Sequence, residues 1–314
     1  MNFIITGGAG FIGSHLTEKL LSDGHQVIVV DSLATGRLDN LPNHPHLKII
    51  QKDLSDCQPE DFPEPIDGVA HLAATPSVVD SWLQPVKSHH NNLSSMLNIL
   101  LLCKALKISR VVFASSAAVY GDVNQPPISE TGRLAPISPY GLQKLVSEQY
   151  ATLFASHYDL SFIALRLFNV FGPRQLPSSP YSGVISIFTS AMQNSLPITI
   201  YGDGGQTRDF VFVQDVADAF SKALTVPLAV GSCLALNIGT GKGTSLLELI
   251  QILKSSFSLW TPEIHFLEVR MGDIQHSRAD LSQAHSILSF KPRWSVKSGI
   301  HKMFQSLAKV ESFY

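Results

Sequence analysis

The sequence predicts an α/β fold built on one doubly wound parallel sheet, with a smaller α/β lobe toward the C-terminus. In the first half of the chain, short apolar runs alternate with segments of helical spacing, and these runs are continuously apolar. Continuously apolar strands are typical of parallel sheets that helices cover on both faces. The alternation of strand and helix then favours a doubly wound sheet over other layered architectures.

The elements can be placed in chain order. The predicted sheet strands are Phe3–Ile5, Gln26–Val30, Leu47–Gln51, Gly68–Leu72, Val111–Ser115 and Ser161–Arg166, and the helices between them are Phe11–Ser22, Asn91–Leu106 and Gly141–Tyr158. After Asn169 the pattern becomes less regular. A helix at Val184–Gln193 and a strand at Ile198–Tyr201 precede a predicted return to the sheet at Val211–Val213, Val216–Leu224 and Ala235–Ile238, and helices at Leu246–Ser255 and Val296–Leu307 follow. We expect residues 1–168 and about 211–238 to form the sheet domain, and 169–210 and 239–314 to form the lobe.

Composition excludes several classes of protein. Hydrophobic residues make up 45% of the 314-residue chain and the net charge is -2, which excludes a disordered chain. The near-zero charge also argues against a nucleic-acid binder, which needs a basic surface. The longest aliphatic run is far shorter than the roughly 18 residues of a membrane span, and no secretory signal or metal-like cysteine spacing is present. We therefore expect a cytoplasmic protein with free, buried thiols that binds no membrane, nucleic acid or metal.

A glycine-rich loop joins the first strand to the first helix. Gly7, Gly10 and Gly13 have the spacing G-x-x-G-x-x-G, between an apolar strand and an amphipathic helix, which is the context that a dinucleotide fingerprint requires. Glycines let the backbone approach a pyrophosphate, and the helix N-terminus offers free N–H groups to it. Asp31 ends the second strand, where a carboxylate accepts hydrogen bonds from a ribose diol and repels a 2′-phosphate. The loop therefore predicts a Rossmann-type site that prefers NAD to NADP.

A second group of polar residues follows the fifth predicted strand. Ser115 and Ser116 lie at its carboxyl end, and Tyr140 and Lys144 stand four residues apart on the next helix, which puts them on one helix face. A free phenol titrates near pH 10, and a nearby ammonium together with a positively charged nicotinamide lowers that value. The group therefore predicts a tyrosine base beside the dinucleotide.

These motifs occur together with others along nearly the whole chain. The others are His71-Leu72-Ala73-Ala74, Asn91-Asn92, the stretch from Arg166 to Arg174, Arg208-Asp209-Phe210 and the stretch from Asn237 to Gly241. In this combination the chain resembles the NAD-dependent sugar-nucleotide epimerase/dehydratase family of the extended short-chain dehydrogenases/reductases. The resemblance implies that Tyr140 takes the proton from the sugar C4 hydroxyl and that Lys144 binds the nicotinamide ribose. It also implies that Ser116 hydrogen-bonds the C4 oxygen, with Ser115 as the adjacent alternative for part of that role.

The resemblance also implies the binding residues and an assembly. The residues expected to bind NAD are Gly7, Gly10, Phe11, Ile12, Gly13, Asp31, Asp53, Leu54, Leu72, Ala73, Ala74, Asn91, Tyr140 and Lys144. Those expected to bind a UDP-sugar are Ser77, Ser116, Asn169, Val184, Tyr201, Arg208, Arg270, Asp273 and Ser277, of which the two arginines offset the charge of the diphosphate. The helices Asn91–Leu106 and Gly141–Tyr158 are expected to pair with their copies as a four-helix bundle in a homodimer.

Three positions indicate the reaction and the sugar. The family's 4,6-dehydratases carry an acidic pair where this chain has Ala117 and Ala118, so the pattern is similar to that of the 4-epimerases, which proceed through a 4-keto sugar. Ser277 stands where members restricted to non-acetylated sugars often carry tyrosine. We therefore expect action on UDP-GlcNAc/UDP-GalNAc, and also on UDP-Glc/UDP-Gal.

Three alternatives stay open from the sequence. A UDP-uronic acid 4-epimerase is one, since Arg174 could meet a carboxylate. A net reductase of a keto-sugar nucleotide is the second. A non-enzymatic NAD sensor is the third, although such proteins typically lack the Tyr/Lys pair that this chain retains.

Overall fold

A computed structural model describes residues 1–62, 65–122, 126–175, 183–256, 262–269 and 274–311. The elements of the first half are β1 (Asn2–Thr6), α1 (Phe11–Ser22), β2 (Gln26–Asp31), β3 (Leu47–Gln51), β4 (Gly68–His71), α2 (Val78–Leu83), α3 (Pro85–His89), α4 (Ser95–Leu106), β5 (Arg110–Ser116), α5 (Pro139–Ala155) and β6 (Ser161–Leu167). Those of the second half are β7 (Asn169–Phe171), α6 (Val184–Gln193), β8 (Ile198–Tyr201), β9 (Thr207–Arg208), β10 (Phe210–Phe212), α7 (Val213–Thr225), β11 (Cys233–Ile238), β12 (Thr244–Ser245), α8 (Leu246–Ser256), β13 (Ile264–Leu267), α9 (Ser282–Leu288) and α10 (Val296–Glu311).

The main sheet has seven strands in the order β11-β6-β5-β4-β1-β2-β3, and every neighbouring pair is parallel. The chain builds outward from β1 in one direction and from β4 in the other, so the strand order reverses between these two strands. In open α/β sheets, ligands bind outside the carboxyl ends of the strands at such a reversal. The predicted Rossmann-type sheet is confirmed, and its topology places the ligand crevice beside the loops that follow β1 and β4.

Helices cover both faces of the sheet, because successive residues of a strand point to opposite sides. In β1, Phe3 and Ile5 belong to one core, which α1 and α7 cover, and Ile4 belongs to the other, which α4 and α5 cover. This double cover accounts for strands that are apolar at every position.

Two predicted helices begin differently in the structure. Helix α5 begins at Pro139, ahead of the predicted Gly141, because the Ser138 hydroxyl accepts a hydrogen bond from the Gly141 amide and proline suits the first helical position. The predicted helix Asn91–Leu106 begins as a π-helical turn at His90–Ser94 and becomes α-helical at Ser95. Apolar spacing alone does not distinguish these two helix types.

The prediction that Val211–Val213 and Val216–Leu224 return to the main sheet is wrong, because Val216–Leu224 lies within helix α7. Strand β10 pairs instead with β7 in a separate two-stranded sheet. Phe210 and Phe212 pack into the core of the lobe, while Val211 packs into that of the main sheet. A short apolar run that is buried on both sides looks the same in either sheet, so the sequence could not separate them.

The lobe has its own core, built where α6, α8 and α10 meet strand β8. Its buried side chains include Phe171, Phe188, Ile200, Leu249 and Ile300. The domain boundaries stay a prediction. Within the described ranges, no helix is both long enough and apolar enough to cross a membrane.

The three cysteines are free. Cys103 is buried, as expected, whereas Cys57 and Cys233 are partly exposed.

Candidate active site

The glycine loop between β1 and α1 folds tightly on itself. A Cβ on Gly13 would lie 2.1 Å from the Gly7 carbonyl oxygen, and Gly7 has a φ of +68° that favours glycine. Gly10 is the N-cap of α1 and supplies no side-chain acceptor for the amides of the first turn. A cradle of bare backbone with free N–H groups fits the pyrophosphate of a dinucleotide.

Asp31 lies against this loop at the end of β2. Its Oδ2 accepts a hydrogen bond from the Ala9 amide at 2.9 Å, and its Oδ1 accepts one from the Leu33 amide at 2.8 Å. A carboxylate has about four acceptor positions, so two are left for a ribose diol. The loop thus holds the acid where the sequence predicts that it meets the adenosine ribose.

The segment after β4 lies directly beside the glycine loop. The amides of Leu72 and Ala73 both donate to the Thr6 hydroxyl at 3.2 Å, and a Cβ on Gly7 would lie 2.8 Å from the Ala73 nitrogen. Ala74 follows next in the chain, and Asn91 donates to the Thr75 hydroxyl at 2.9 Å. The structure therefore brings these predicted cofactor residues together at the reversal of strand order.

The remaining predicted cofactor residues lie in different surroundings. Asp53 is exposed and accepts hydrogen bonds from the amide and hydroxyl of Ser55, which hold the pKa of its carboxyl below the usual value. Leu54 is buried in the core under α4 and α5. Phe11 and Ile12 form the first turn of α1, and both are partly buried.

Ser116, Tyr140 and Lys144 come together at the carboxyl end of β5. The Tyr140 hydroxyl is hydrogen-bonded to the Ser116 hydroxyl. The Lys144 ammonium donates to the Ala114 carbonyl oxygen at 2.8 Å and lies 5.8 Å from the centroid of the Tyr140 ring. The predicted serine, tyrosine and lysine are thus neighbours. Ala114, which the motif does not include, supplies the carbonyl that accepts the hydrogen bond from Lys144.

Burial sets the acidity of both groups on the helix. It lowers the pKa of Lys144 to about 7, and the negative charge of Glu148 opposes this shift. Burial also raises the pKa of Tyr140, and the hydrogen bond with Ser116 opposes that shift. Near neutral pH, Tyr140 is therefore protonated and Lys144 is close to its midpoint, so that a further charge beside Lys144 changes which of its forms is favoured.

Ser115 points into a different environment from Ser116. Its buried hydroxyl donates to Oε1 of Glu148 at 2.5 Å, and both oxygens of that carboxylate accept hydrogen bonds from Arg166. None of the sequence motifs above includes Glu148. Its position four residues after Lys144, on the same helix face, is the sequence signal that it lies near that lysine.

Several predicted substrate residues gather around β9 and β10. Arg208 belongs to β9, the Ser277 amide donates to the Thr207 carbonyl at 3.1 Å, and the Asn169 amide donates to the Asp209 carbonyl at 3.0 Å. Ser277 is buried. Tyr201 is linked to the same region, since its carbonyl accepts a hydrogen bond from Gln206 at 2.7 Å.

A buried carboxylate that sequence reasoning missed fixes this region. Asp209 follows Arg208 and is fully buried. It accepts hydrogen bonds from the backbone amides of Thr240, Gly241 and Ala279 at 2.7 to 3.0 Å. The motif Arg208-Asp209-Phe210 contained this residue, but nothing in the sequence indicated which amides it binds.

Val184 and Ser77 lie away from these strands in the chain. Val184 is the first residue of α6 and is partly buried, and Ser77 caps α2 by accepting a hydrogen bond from the Asp80 amide at 2.9 Å. Arg270 and Asp273 lie outside the described residues.

Comparison with known proteins agrees with this geometry. The sequence model of the NAD dependent epimerase/dehydratase family matches residues 3–239. The UDP-glucose 4-epimerase of Mycolicibacterium smegmatis is 35% identical, over 96% of this chain and 97% of its own length. A structure of the UDP-N-acetylglucosamine 4-epimerase of Methanobrevibacter ruminantium, in complex with UDP-N-acetylmuramic acid, is 38% identical with a TM-score of 0.90 and covers 98% of each chain.

The UDP-glucose 4-epimerase of Thermus thermophilus, solved in complex with NAD, is 34% identical with a TM-score of 0.88 and covers 98% of this chain and 99% of its own. These relatives match between 96% and 98% of this chain. The chain therefore belongs to the NAD dependent epimerase/dehydratase family, and NAD is its cofactor.

Proposed function

We propose that this protein interconverts UDP-sugars that differ in configuration at C4, through a 4-keto sugar, while retaining its NAD. The observation that carries the proposal is the contact of Tyr140 with Ser116, one helical turn from Lys144, at the end of β5, which β4 separates from β1 and its glycine loop. Ala117 and Ala118 follow Ser116 and supply no acid or base for a dehydration. A tyrosine base followed by two alanines, where dehydratases carry an acidic pair, is suited to reversible oxidation of an alcohol.

The protein's own groups have separate roles in this proposal. Tyr140 takes the proton of the C4 hydroxyl and later returns it, and Ser116 donates a hydrogen bond to the C4 oxygen. Lys144 in its charged form stabilises the Tyr140 phenolate. Gly7, Gly13 and the first turn of α1 would hold the pyrophosphate of NAD⁺, with Asp31 at a ribose. The bound nicotinamide would supply reversible hydride transfer at C4.

The experiment that tests this function uses the purified protein without added nucleotide. UDP-GlcNAc and UDP-Glc are incubated separately with it, and the products are resolved by chromatography. We expect UDP-GalNAc and UDP-Gal to form up to a constant ratio, with no requirement for NADH. A protein that converts neither substrate, or that turns over only by consuming added NADH, would refute the proposal and favour the reductase in the latter case.

We further propose that the sugar site accepts a 2-acetamido group. Ser277 is buried beside β9, next to the predicted phosphate ligand Arg208, and its small side chain leaves space that a tyrosine would fill. The relatives with matching full-length folds include an enzyme named for UDP-N-acetylglucosamine and others named for UDP-glucose. Both sugars are therefore kept in the proposal, with the acetylated pair preferred.

Replacing Ser277 with tyrosine should remove the acetylated activity selectively. The added ring occupies the space of the acetamido group, and we expect kcat/KM for UDP-GlcNAc to fall roughly 10- to 100-fold relative to that for UDP-Glc. Ser277→Ala serves as the matched control, because it keeps a small side chain and should leave the ratio nearly unchanged. Equal loss on both substrates, or no loss, would show that Ser277 does not control the size of the site.

The uronic acid alternative depends on Arg174, and that residue is already paired in the structure. The Arg174 guanidinium pairs with the carboxylate of Glu18 on α1 and donates to the Ser14 hydroxyl at 3.2 Å. A group that is already paired in this way is less available to a substrate carboxylate. The proposal therefore centres on neutral and acetamido sugars.

We also propose a homodimer in which α4 and α5 pair with their copies. Leu101 on α4 and Leu142, Tyr150 and Leu153 on α5 are exposed apolar side chains, between 39% and 67% accessible. The two helices pack side by side. Their outward faces are thus continuous with each other, as an interface of four helices requires.

Charging this face should produce a monomer. We expect a Leu101→Lys, Leu153→Lys double variant to run at about half the native mass in light scattering, because two buried ammonium groups oppose association. Leu247→Lys on α8, another exposed leucine, is the control and should leave the mass unchanged. A native protein of monomer mass, or a double variant that keeps the dimer mass, would contradict the assignment.

A further inference from the structure

A buried ion pair lies one helical turn beyond Lys144. The Arg166 guanidinium on β6 donates to Oε2 of Glu148 at 2.7 Å and to Oε1 at 3.1 Å, and the two side chains are only 4% and 9% exposed. Replacing such a pair by apolar residues of similar volume is often neutral or even stabilising. The ion pair therefore need not contribute to stability, and its position next to Lys144 suggests a role in the active site.

Three residues of one helix face meet three successive residues of β5. Tyr140, Lys144 and Glu148 stand four residues apart on α5. The Tyr140 hydroxyl contacts Ser116, the Lys144 ammonium donates to the Ala114 carbonyl, and the Glu148 carboxylate accepts from the Ser115 hydroxyl. Glu148 is thus the third link between the catalytic helix and the strand that carries Ser116.

The negative charge of Glu148, which the Arg166 guanidinium holds in place, acts on Lys144. Burial disfavours the Lys144 ammonium, and its described hydrogen-bond acceptor is a neutral carbonyl. His71 on β4 faces the same lysine, but burial lowers the pKa of its imidazole to about 3, so it carries no charge near neutral pH. Among the described charged groups that act on Lys144, Glu148 is the one that favours its charged form, beside the ring of Phe113 4.6 Å from the ammonium.

Arg166 and its neighbours hold Glu148 in place. Arg166 also donates to the Tyr120 hydroxyl at 3.0 Å, and Tyr120 donates in turn to the Asn237 side chain at 2.6 Å. Glu130 belongs to the same network, since its carboxylate accepts a hydrogen bond from the backbone amide of Asn237 at 2.8 Å. These contacts tie the ion pair to β6 and β11, so Glu148 cannot turn away from the helix face that carries Tyr140 and Lys144.

We propose that Glu148, held by Arg166, is a positioning residue of the active site that fixes Ser115 and keeps Lys144 charged beside Tyr140. Glu148 does not touch the substrate in this account. It acts through Lys144, whose charge favours the Tyr140 phenolate. Ser115 is accordingly a structural link between β5 and α5, which leaves Ser116 as the serine that meets the C4 oxygen. The inference rests on the proposed epimerase function for its kinetic consequences, but its electrostatic consequence can be measured without turnover.

The test compares three changes in the same buried network. Glu148→Gln removes the charge with little change of shape. The double variant Glu148→Leu, Arg166→Met removes both charges and keeps an apolar fill, so it remains informative if the single variant unfolds. Glu130→Gln is the matched control, because it neutralises a half-buried carboxylate of the same network that has no contact with Lys144 or Ser115.

The first readout is the ionisation of Tyr140 in the protein itself. Phenolate absorbance is titrated, and the curve of the corresponding Tyr140→Phe protein is subtracted. Loss of the Glu148 charge lowers the fraction of Lys144 that is charged, and the Tyr140 phenolate is then less stabilised. The midpoint of the Tyr140 titration should therefore move up by about one pH unit in both Glu148 variants and stay in place in Glu130→Gln. Bound NAD and the melting temperature are recorded for every protein.

The second readout is the pH dependence of epimerisation. We expect the acid limb of kcat to move up with the Tyr140 midpoint, so that kcat near pH 7 falls about tenfold and recovers at higher pH, with KM changed less than about twofold. A double variant that folds, keeps NAD and shows the native midpoint and kcat would overturn the proposal. So would equal effects in Glu130→Gln. If no UDP-sugar is epimerised by any of the proteins, the proposed function fails, while the phenolate titration still decides the role of Glu148.

Discussion

The Tyr140→Phe variant is expected to lose epimerase activity while keeping its fold and its NAD. The substitution removes the hydroxyl that bonds Ser116 and keeps the ring beside Lys144. Loss of a positioned general base costs roughly 10²- to 10⁴-fold in rate, and Ala117 and Ala118, which follow Ser116, carry no group that could replace it. Turnover of UDP-GlcNAc by the two proteins, measured at equal NAD content, checks the prediction.

A second tyrosine provides the matched control. Tyr158 lies near the end of the same helix and also has a lysine ammonium over its ring, that of Lys104 at 4.4 Å from the centroid. Tyr158→Phe therefore removes a phenol beside a lysine at a site remote from the glycine cradle, and it should keep native turnover. A Tyr140→Phe protein that retains most of the native rate would exclude Tyr140 as the base.

Substituting Gly13 with alanine is expected to have the largest effect on cofactor binding. The new methyl group would lie 2.1 Å from the Gly7 carbonyl oxygen and 2.8 Å from the Gly8 Cα, and both are backbone atoms that cannot move alone. The loop must open to relieve the clash, which separates the amides that hold the pyrophosphate. We expect the bound NAD of the purified protein to fall at least about tenfold, a change of about 1.4 kcal/mol in binding, together with a loss of about 1–3 kcal/mol in folding stability.

Gly183→Ala is the control for this substitution. Gly183 has a φ of -66° that alanine adopts freely, and a Cβ there would lie 3.6 Å from its nearest neighbour, the end of the Gln175 side chain. That variant should keep both its NAD and its melting temperature. Native NAD content in Gly13→Ala, measured by releasing and quantifying the nucleotide, would show that the glycine loop does not hold the cofactor.

The fold and the cofactor cradle could be predicted largely from local sequence signals. The glycine spacing, the acid at Asp31 and the four-residue step from Tyr140 to Lys144 each act within one loop, strand end or helix turn. Such short-range signals determine geometry directly, and the structure places these residues at the carboxyl ends of β1, β2 and β5, along one edge of the sheet.

The features that could not be predicted depend on contacts between segments that are distant in the sequence. Whether Val211 lies in the main sheet or beside β7 depends on how two cores share a short apolar strand. Likewise, Ser115 and Ser116 are equivalent in the sequence, and only the position of Glu148, opposite Arg166, separates their environments. Asp209 gathers three amides from two other segments, which no local pattern indicates.

In the proposed reaction the C4 hydrogen leaves the sugar and returns to the same carbon while NAD stays bound. UDP-GlcNAc deuterated at C4 is incubated with the protein in ordinary water, without added nucleotide, and the UDP-GalNAc formed is examined by mass spectrometry and NMR. We expect the deuterium to be retained at C4 and no solvent hydrogen to enter there. Product whose C4 deuterium has been replaced by hydrogen from solvent, or from added unlabelled NADH, would contradict it.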